Sequence, residues 1–229
     1  MWNGKMKAVT LSYDDGVEQD IRLIALLDKY GLKGTFNLNP RRQKYTDTFQ
    51  KSAVTVHHLD LKDLPKVYAN HEVAGHSCTH PHLENLSEEQ LREEIIGCQD
   101  QLSQLFGRPM YGFAYPYGTY NEAVLAVERE AGIRYSRTCV QRCDFSLCEN
   151  LLELSTTCRH ACPELLGLAE QFVSLQPDTP QMFYLWGHSY EFDESDNWRL
   201  IEDFCRIVSG RDDIFYGTNS EVLLGLKQV

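Results

Sequence analysis

The chain has 229 residues, 33 acidic against 22 basic side chains and a formal net charge of −11, with an ordinary globular hydrophobic share of 42%. That balance argues against nucleic acid as a partner, because binding by phosphate neutralisation leaves a basic stripe and none is found. No run reaches the roughly 20 apolar residues of a membrane span, and the opening "MWNGKMKAVTLSYDDG" lacks the apolar segment of a signal peptide. The reading is a cytoplasmic chain with no membrane partner.

Taken in order, β-like runs alternate with amphipathic helical stretches. "KAVTLSY" (7–13) is β-rich, and residues 18–30 place Ile21, Ile24 and Leu27 at helical spacing before Gly31 stops the pattern. "KGTFNLN" is a second strand. After an irregular segment come a short helix at 61–70 and a third strand, "HEVAGHS". Ser87 and Gln90 form a capping box for the long helix that follows. "MYGFAYP", "IRYSRTC", "QMFYLWGH" and "DIFYGTN" complete the strands, with helices between them, and residues 143–162 are the least regular. About seven βα units, without a Pro/Ser-rich linker, predict one α/β domain over residues 1–229 with a parallel sheet, closed as a barrel or open and doubly wound. No G-x-G-x-x-G follows the first strand, which weakens the nucleotide-binding form of the open alternative.

Eight cysteines are present, five of them between Cys139 and Cys162, but no C-x-x-C pair marks a structural zinc site. In a reducing compartment they are expected to be free thiols.

The polar clusters fall after strands: Asp14-Asp15, His76 with His80, residues 115–118, and His188. In a βα barrel the carboxyl-terminal strand ends share one face, so residues far apart in sequence converge there. "HSCTH" spaces two imidazoles at i and i+4, which on a helical turn share one side and can chelate an ion. A carboxylate from another strand end completes a two-histidine, one-carboxylate face. "LSYDDG" (11–16) supplies one, although Asp-Gly is also a common turn pair.

Together these stretches resemble the polysaccharide deacetylases, the NodB homology domain of carbohydrate esterase family 4. "LSYDDG" matches its T-F-D-D-G-like strand end, "HSCTH" its H-[ST]-x-x-H, "AYPYG" (114–118) its R-P-P-Y-G-like motif, and "WGHSYE" its late histidine. The resemblance implies a distorted (β/α) barrel of about seven parallel strands and a hydrolase that removes an acetyl group from an N-acetylated sugar. It implies that Asp15, His76 and His80 bind a divalent metal, usually zinc. By the same resemblance Asp14 is the general base, the backbone N–H of Tyr117 stabilises the oxyanion, and His188 protonates the leaving amine.

The chain departs from the family in two places. Ala114 stands where the family has the arginine that steadies the base, and Arg137 is the candidate substitute. The D-x-x-D-W motif is not recognisable, which leaves Glu191, Asp193 and Asp144 as possible partners of His188. A metal-retaining, catalytically idle sugar-binding relative and a hydrolase of another N-acyl or O-acyl group remain open. His57, His58, His71 and His82 are read as structural, and Tyr184 and Trp186 as either core or sugar platform.

Overall fold

Strand β1 (Lys7–Asp14) is buried at every position, which happens when both faces of a strand are covered. Its two faces differ in chemistry. Val9, Leu11 and Tyr13 point outward into the main apolar cluster, where helices cover the sheet. Thr10, Ser12 and Asp14 point the other way and bond to polar partners. The structure, a computed structural model, describes residues 2–42 and 47–225.

Following β1 are α1 (Asp20–Lys29), β2 (Gly34–Leu38), a hairpin of β3 (Thr48–Lys51) and β4 (Val54–His57), α2 (Leu64–Val67), β5 (Glu72–Gly75) and α3 (Glu88–Phe106). The second half contains β6 (Gly112–Ala114), α4 (Glu122–Glu130), β7 (Tyr135–Gln141), β8 (Leu154–Thr156), β9 (Cys158–Arg159), α5 (Leu165–Ser174) and β10 (Gln181–Gly187). It ends with α6 (Glu191–Glu194), α7 (Trp198–Val208), β11 (Ile214–Tyr216) and α8 (Asn219–Leu223).

Local chemistry explains several of these elements. Ser87 and Gln90 form the expected reciprocal capping box at the start of α3, worth about 1 kcal/mol, and Gly107 ends the helix in the left-handed region. In α1, Leu23 and Leu27 are fully buried, each contributing about 2 kcal/mol through apolar burial.

Among the described residues nine sheet strands are parallel, in the order β8-β7-β6-β5-β2-β1-β10-β9, with β11 beside the start of β1. The run 154–159 closes the ring: β8 pairs with β7, and two residues later β9 pairs with β10. Between them Thr157 donates its N–H to Tyr184 O, at 3.0 Å. This is the expected distorted barrel, with two more strands than the seven read from sequence.

The barrel interior holds a polar layer beside an apolar cluster that includes Ala8, Leu154, Met182 and Val222. Asn219, at the start of α8, accepts from Thr10 Oγ1 and donates to Tyr184 Oη, both at 2.8 Å. Glu72 accepts from Thr35, Tyr135 and the backbone N–H of Ser220, each at 2.9 Å. Among the described residues no helix is long and apolar enough to cross a membrane. All eight cysteines are unpaired, as expected for free thiols.

Candidate active site

At the carboxyl-terminal mouth of the barrel, a cleft of about 510 Å³ gathers Asp14, Asp15, His76, His80, Tyr117 and His188 among its lining residues. Arg137 lies just beneath, fully buried. The mouth therefore assembles all seven residues singled out from sequence.

Asp14 is the last residue of β1 and points into the barrel, whereas Asp15 leaves the strand with φ of +82°. Ser77 and His80, at +61° and +65°, are also left-handed. Such backbone is costly for residues other than glycine and concentrates at functional sites. The expectation of a helical turn at "HSCTH" is corrected here: residues 76–80 form an irregular turn. Two left-handed residues, rather than helical spacing, bring the imidazoles to 4.7 Å between ring centres.

Asp15 Oδ1 lies 3.9 Å from Nε2 of both His76 and His80. Those gaps are too wide for hydrogen bonds, and Oδ1 is buried without a hydrogen-bond partner. His76 Nδ1 donates to the carbonyl of Ala114 at 2.7 Å. A carbonyl can only accept, so the lone pair of a neutral His76 is on Nε2, facing the cluster. Burial keeps both imidazoles neutral at pH 7, lowering His76 and taking His80 down to about 4. Three lone-pair donors facing one point, one of them orphaned, fit a divalent cation. Among the described residues, this trio is the group whose ligand atoms lie within 4.8 Å of one another.

Asp14 is held at both oxygens. Asn37 Nδ2 donates to Oδ1 at 2.7 Å and Arg137 Nη2 donates to Oδ2 at 2.5 Å. Burial, the largest single influence, raises the carboxyl, but Arg137, His76, His188 and Asn37 together outweigh it and hold Asp14 down at about 2. Arg137 lies within β7, which continues to Gln141, and not at a strand end. It is the direct cross-strand neighbour of Ala114. The arginine missing from one strand thus arrives from the next.

His188 follows β10. Its Nε2 lies 3.8 Å from Asp14 Oδ2, and its Nδ1 lies 3.1 Å from Glu191 Oε1. Of the three candidates, Glu191 is therefore the partner. Asp144 pairs with Arg142, and Asp193 accepts from Trp198. Burial disfavours the charged imidazole, but the carboxylates of Glu191, Asp15 and Asp14 prevail and raise its pKa. Glu191 also meets Arg159 and lies 2.9 Å from His160 Nε2. Burial works against its charge, but His160 and His188 keep the carboxyl well below its usual range.

Tyr117 sits at φ +60° in the turn after β6, with its half-exposed ring stacked on His82 at 3.9 Å. Tyr184 is buried in the barrel interior. Trp186 lines the cleft, its ring centre 4.4 Å from the Arg137 guanidinium. Sequence reasoning missed Asn37 and His160. For Asn37 a signal existed, an amide in the otherwise apolar run "GTFNLN" of a buried strand.

The sequence model of the family described as polysaccharide deacetylase matches residues 3–136. The chain belongs to the polysaccharide deacetylase family. An uncharacterized protein of Streptomyces coelicolor is 32% identical over 125 residues, covering 55% of this chain and 45% of that one. The chain thus spans less than half the length of the curated relatives it matches. Among solved structures, the chitin deacetylase of Colletotrichum lindemuthianum superposes with a TM-score of 0.62 at 16% identity, covering 96% of this chain and 88% of that one. A carbohydrate esterase family 4 pseudoenzyme from Bacillus anthracis gives a TM-score of 0.56 at 18% identity, covering 97% and 66%. At these identities the likeness is one of fold.

Proposed function

We propose that this polysaccharide deacetylase relative hydrolyses the N-acetyl group of a sugar, using a divalent cation, zinc by the donor set, held by Asp15, His76 and His80. The observation that supports this most is a single juxtaposition. The trio of donors, with Asp15 Oδ1 3.9 Å from each imidazole Nε2, adjoins an anchored carboxylate, Asp14, that lies 3.8 Å from an imidazole kept basic by Glu191.

Asp15, His76 and His80 would hold a divalent ion, which would supply Lewis acidity toward water and a carbonyl oxygen. The remaining work belongs to the chain. Asp14, fixed by Asn37 and Arg137, accepts the proton of the attacking water. The Tyr117 N–H, held at the cleft by a left-handed turn, faces the charge that develops on the acetyl oxygen. His188, whose Nδ1 is engaged by Glu191, gives the proton on Nε2 to the departing amine. Acetate and a free amino sugar leave.

The fold also occurs in a pseudoenzyme, so an idle sugar-binding role is the competing reading. The contacts among Asp14, Arg137, His188 and Glu191 favour turnover. Acetate release from N-acetylglucosamine oligomers and other N-acetylated sugars, with and without added zinc, tests the proposal. Zinc-stimulated acetate release is expected; metal binding without release from any substrate overturns it in favour of the idle role.

A further inference from the structure

Glu128 lies on α4, is fully buried, and is not among the residues lining the cleft. Its two oxygens meet one hydroxyl from the turn after β6 and one from β7. Tyr115 Oη lies 2.5 Å from Oε2, and Ser136 Oγ donates to Oε1 at 2.8 Å. Tyr115 Oη also lies 2.8 Å from the Leu152 carbonyl.

Two contacts converge on the one phenolic oxygen, and both are served when the carboxyl carries a proton. A phenol has one proton and a carbonyl has none, so the proton between Tyr115 and Leu152 belongs to the tyrosine. The short Tyr115–Glu128 contact then needs a second proton, and the carboxyl supplies it. In that neutral arrangement Glu128 would donate to Tyr115, Tyr115 to Leu152, and Ser136 to Glu128. Arg129, on the same helix, is the one charged group acting on Glu128 among the described residues; Tyr115 and Ser136, from the elements packed against it, present hydroxyls. Burial accordingly pushes the carboxyl up to about 8.

The two clamped residues adjoin the catalytic wall. Tyr115 opens the turn that presents Tyr117, and its N–H donates to Arg137 O at 3.0 Å. Ser136 immediately precedes Arg137 and pairs with Phe113 across β6 and β7. We propose that Glu128, as a neutral carboxylic acid, is a positioning residue that holds the Tyr117 turn and the Arg137 strand in register. Its kinetic consequence rests on the deacetylase reading; its protonation state does not. On ionisation the carboxylate competes for the tyrosine proton, leaving the Leu152 carbonyl short of a donor and a charge unpaired in a dry interior.

Glutamine reproduces the neutral acid, since its amide donates to Tyr115 and its carbonyl accepts from Ser136. Leucine removes both functions. With the zinc-loaded protein and N-acetylglucosamine oligomers at neutral pH, Glu128→Gln is expected to keep the parent kcat. Glu128→Leu should lower it roughly 10–100-fold with KM and zinc content unchanged, as for a group that fixes transition-state contacts. In the metal-free protein, the amide resonances of Tyr117 and Arg137 should follow one titration near pH 8 that is absent in Glu128→Gln. Because its folded pKa is raised, the stabilisation from Glu128 is complete below about 4.5 and lost as pH rises through about 8. The glutamine variant should therefore gain on the parent in Tm across that interval.

Equal damage from glutamine and leucine, full activity in the leucine variant, or persistence of the titration in Glu128→Gln each overturns the inference. If the parent releases no acetate, the deacetylase reading fails, while the resonance and melting measurements still decide the state and reach of Glu128.

Discussion

Arg137 Nη2 lies 2.5 Å from Asp14 Oδ2, joining the middle of β7 to the end of β1 across the barrel interior, with both side chains almost entirely out of water. Taking two charges into such an interior is favourable only when they are paired and further bonded. Asn37 on the other carboxylate oxygen, and the Thr138 carbonyl accepting from Arg137 Nη1 at 3.2 Å, meet that condition. The pair makes Asp14 a charged, immobile acceptor.

Because Arg137 and Ala114 are cross-strand neighbours, moving the arginine one strand over is a test of its role. Arg137→Ala is expected to lower kcat and, by stranding a buried carboxylate, to cost about 3–5 kcal/mol of stability. Adding Ala114→Arg should recover part of both. Steady-state kinetics and thermal melts of the single and double variants check this; an Arg137→Ala protein at the parent rate removes Arg137 from the mechanism.

His76→Ala/His80→Ala removes two of the three donors around Asp15 Oδ1. Metal analysis after zinc loading should fall from about one ion per chain to near none. Undiminished metal would place the ion elsewhere.

Asp14→Asn should keep the metal, because Asp15 and not Asp14 faces the two imidazoles, yet lower kcat by roughly 10²–10⁴, the usual effect of losing a general base. Loss of metal in this variant would exchange the roles of the two aspartates.

Asp20 is fully buried and accepts from Tyr68 Oη and Ser189 Oγ, both at 2.6 Å. Burial raises its carboxyl from 3.8 to about 7. A carboxyl raised on folding stabilises most below its unfolded pKa, and that contribution disappears as pH climbs through the folded value. Between about pH 4 and 7 the chain is expected to lose about 4 kcal/mol from this group. Asp20→Asn should flatten that part of the stability curve, measured by urea unfolding at several pH values. A slope equal to the parent's would show that Asp20 does not titrate on folding.

What the sequence revealed follows the reach of each signal. The barrel was legible because seven strands are long enough, or flanked by clear enough helices, for periodicity to register. Strands β8 and β9, with three and two residues, are too short for any period to appear. The hairpin β3–β4 turns at Ser52, itself left-handed at φ +51°, without an Asn-Gly or Asp-Gly signal. In the site, Asp14, Asp15, His76, His80 and His188 stood in contiguous motifs at strand ends. Glu191 could only be one of three candidates, because choosing among acids requires knowing where the chain after β10 turns. Glu128 and His160 reach their partners through packing between elements and leave no local trace.

The polar layer inside the barrel bears on the thermodynamics of the whole chain. Apolar surface exposed on unfolding raises the heat capacity, while polar surface lowers it. Here Thr10, Ser12, Thr35, Asn37, Glu72 and Asn219 occupy space that branched aliphatic side chains commonly fill in a βα barrel. Calorimetric unfolding should therefore give an increment below the usual ~12–15 cal/mol/K per residue. The curve of stability against temperature would be correspondingly broad, with its cold side falling away slowly.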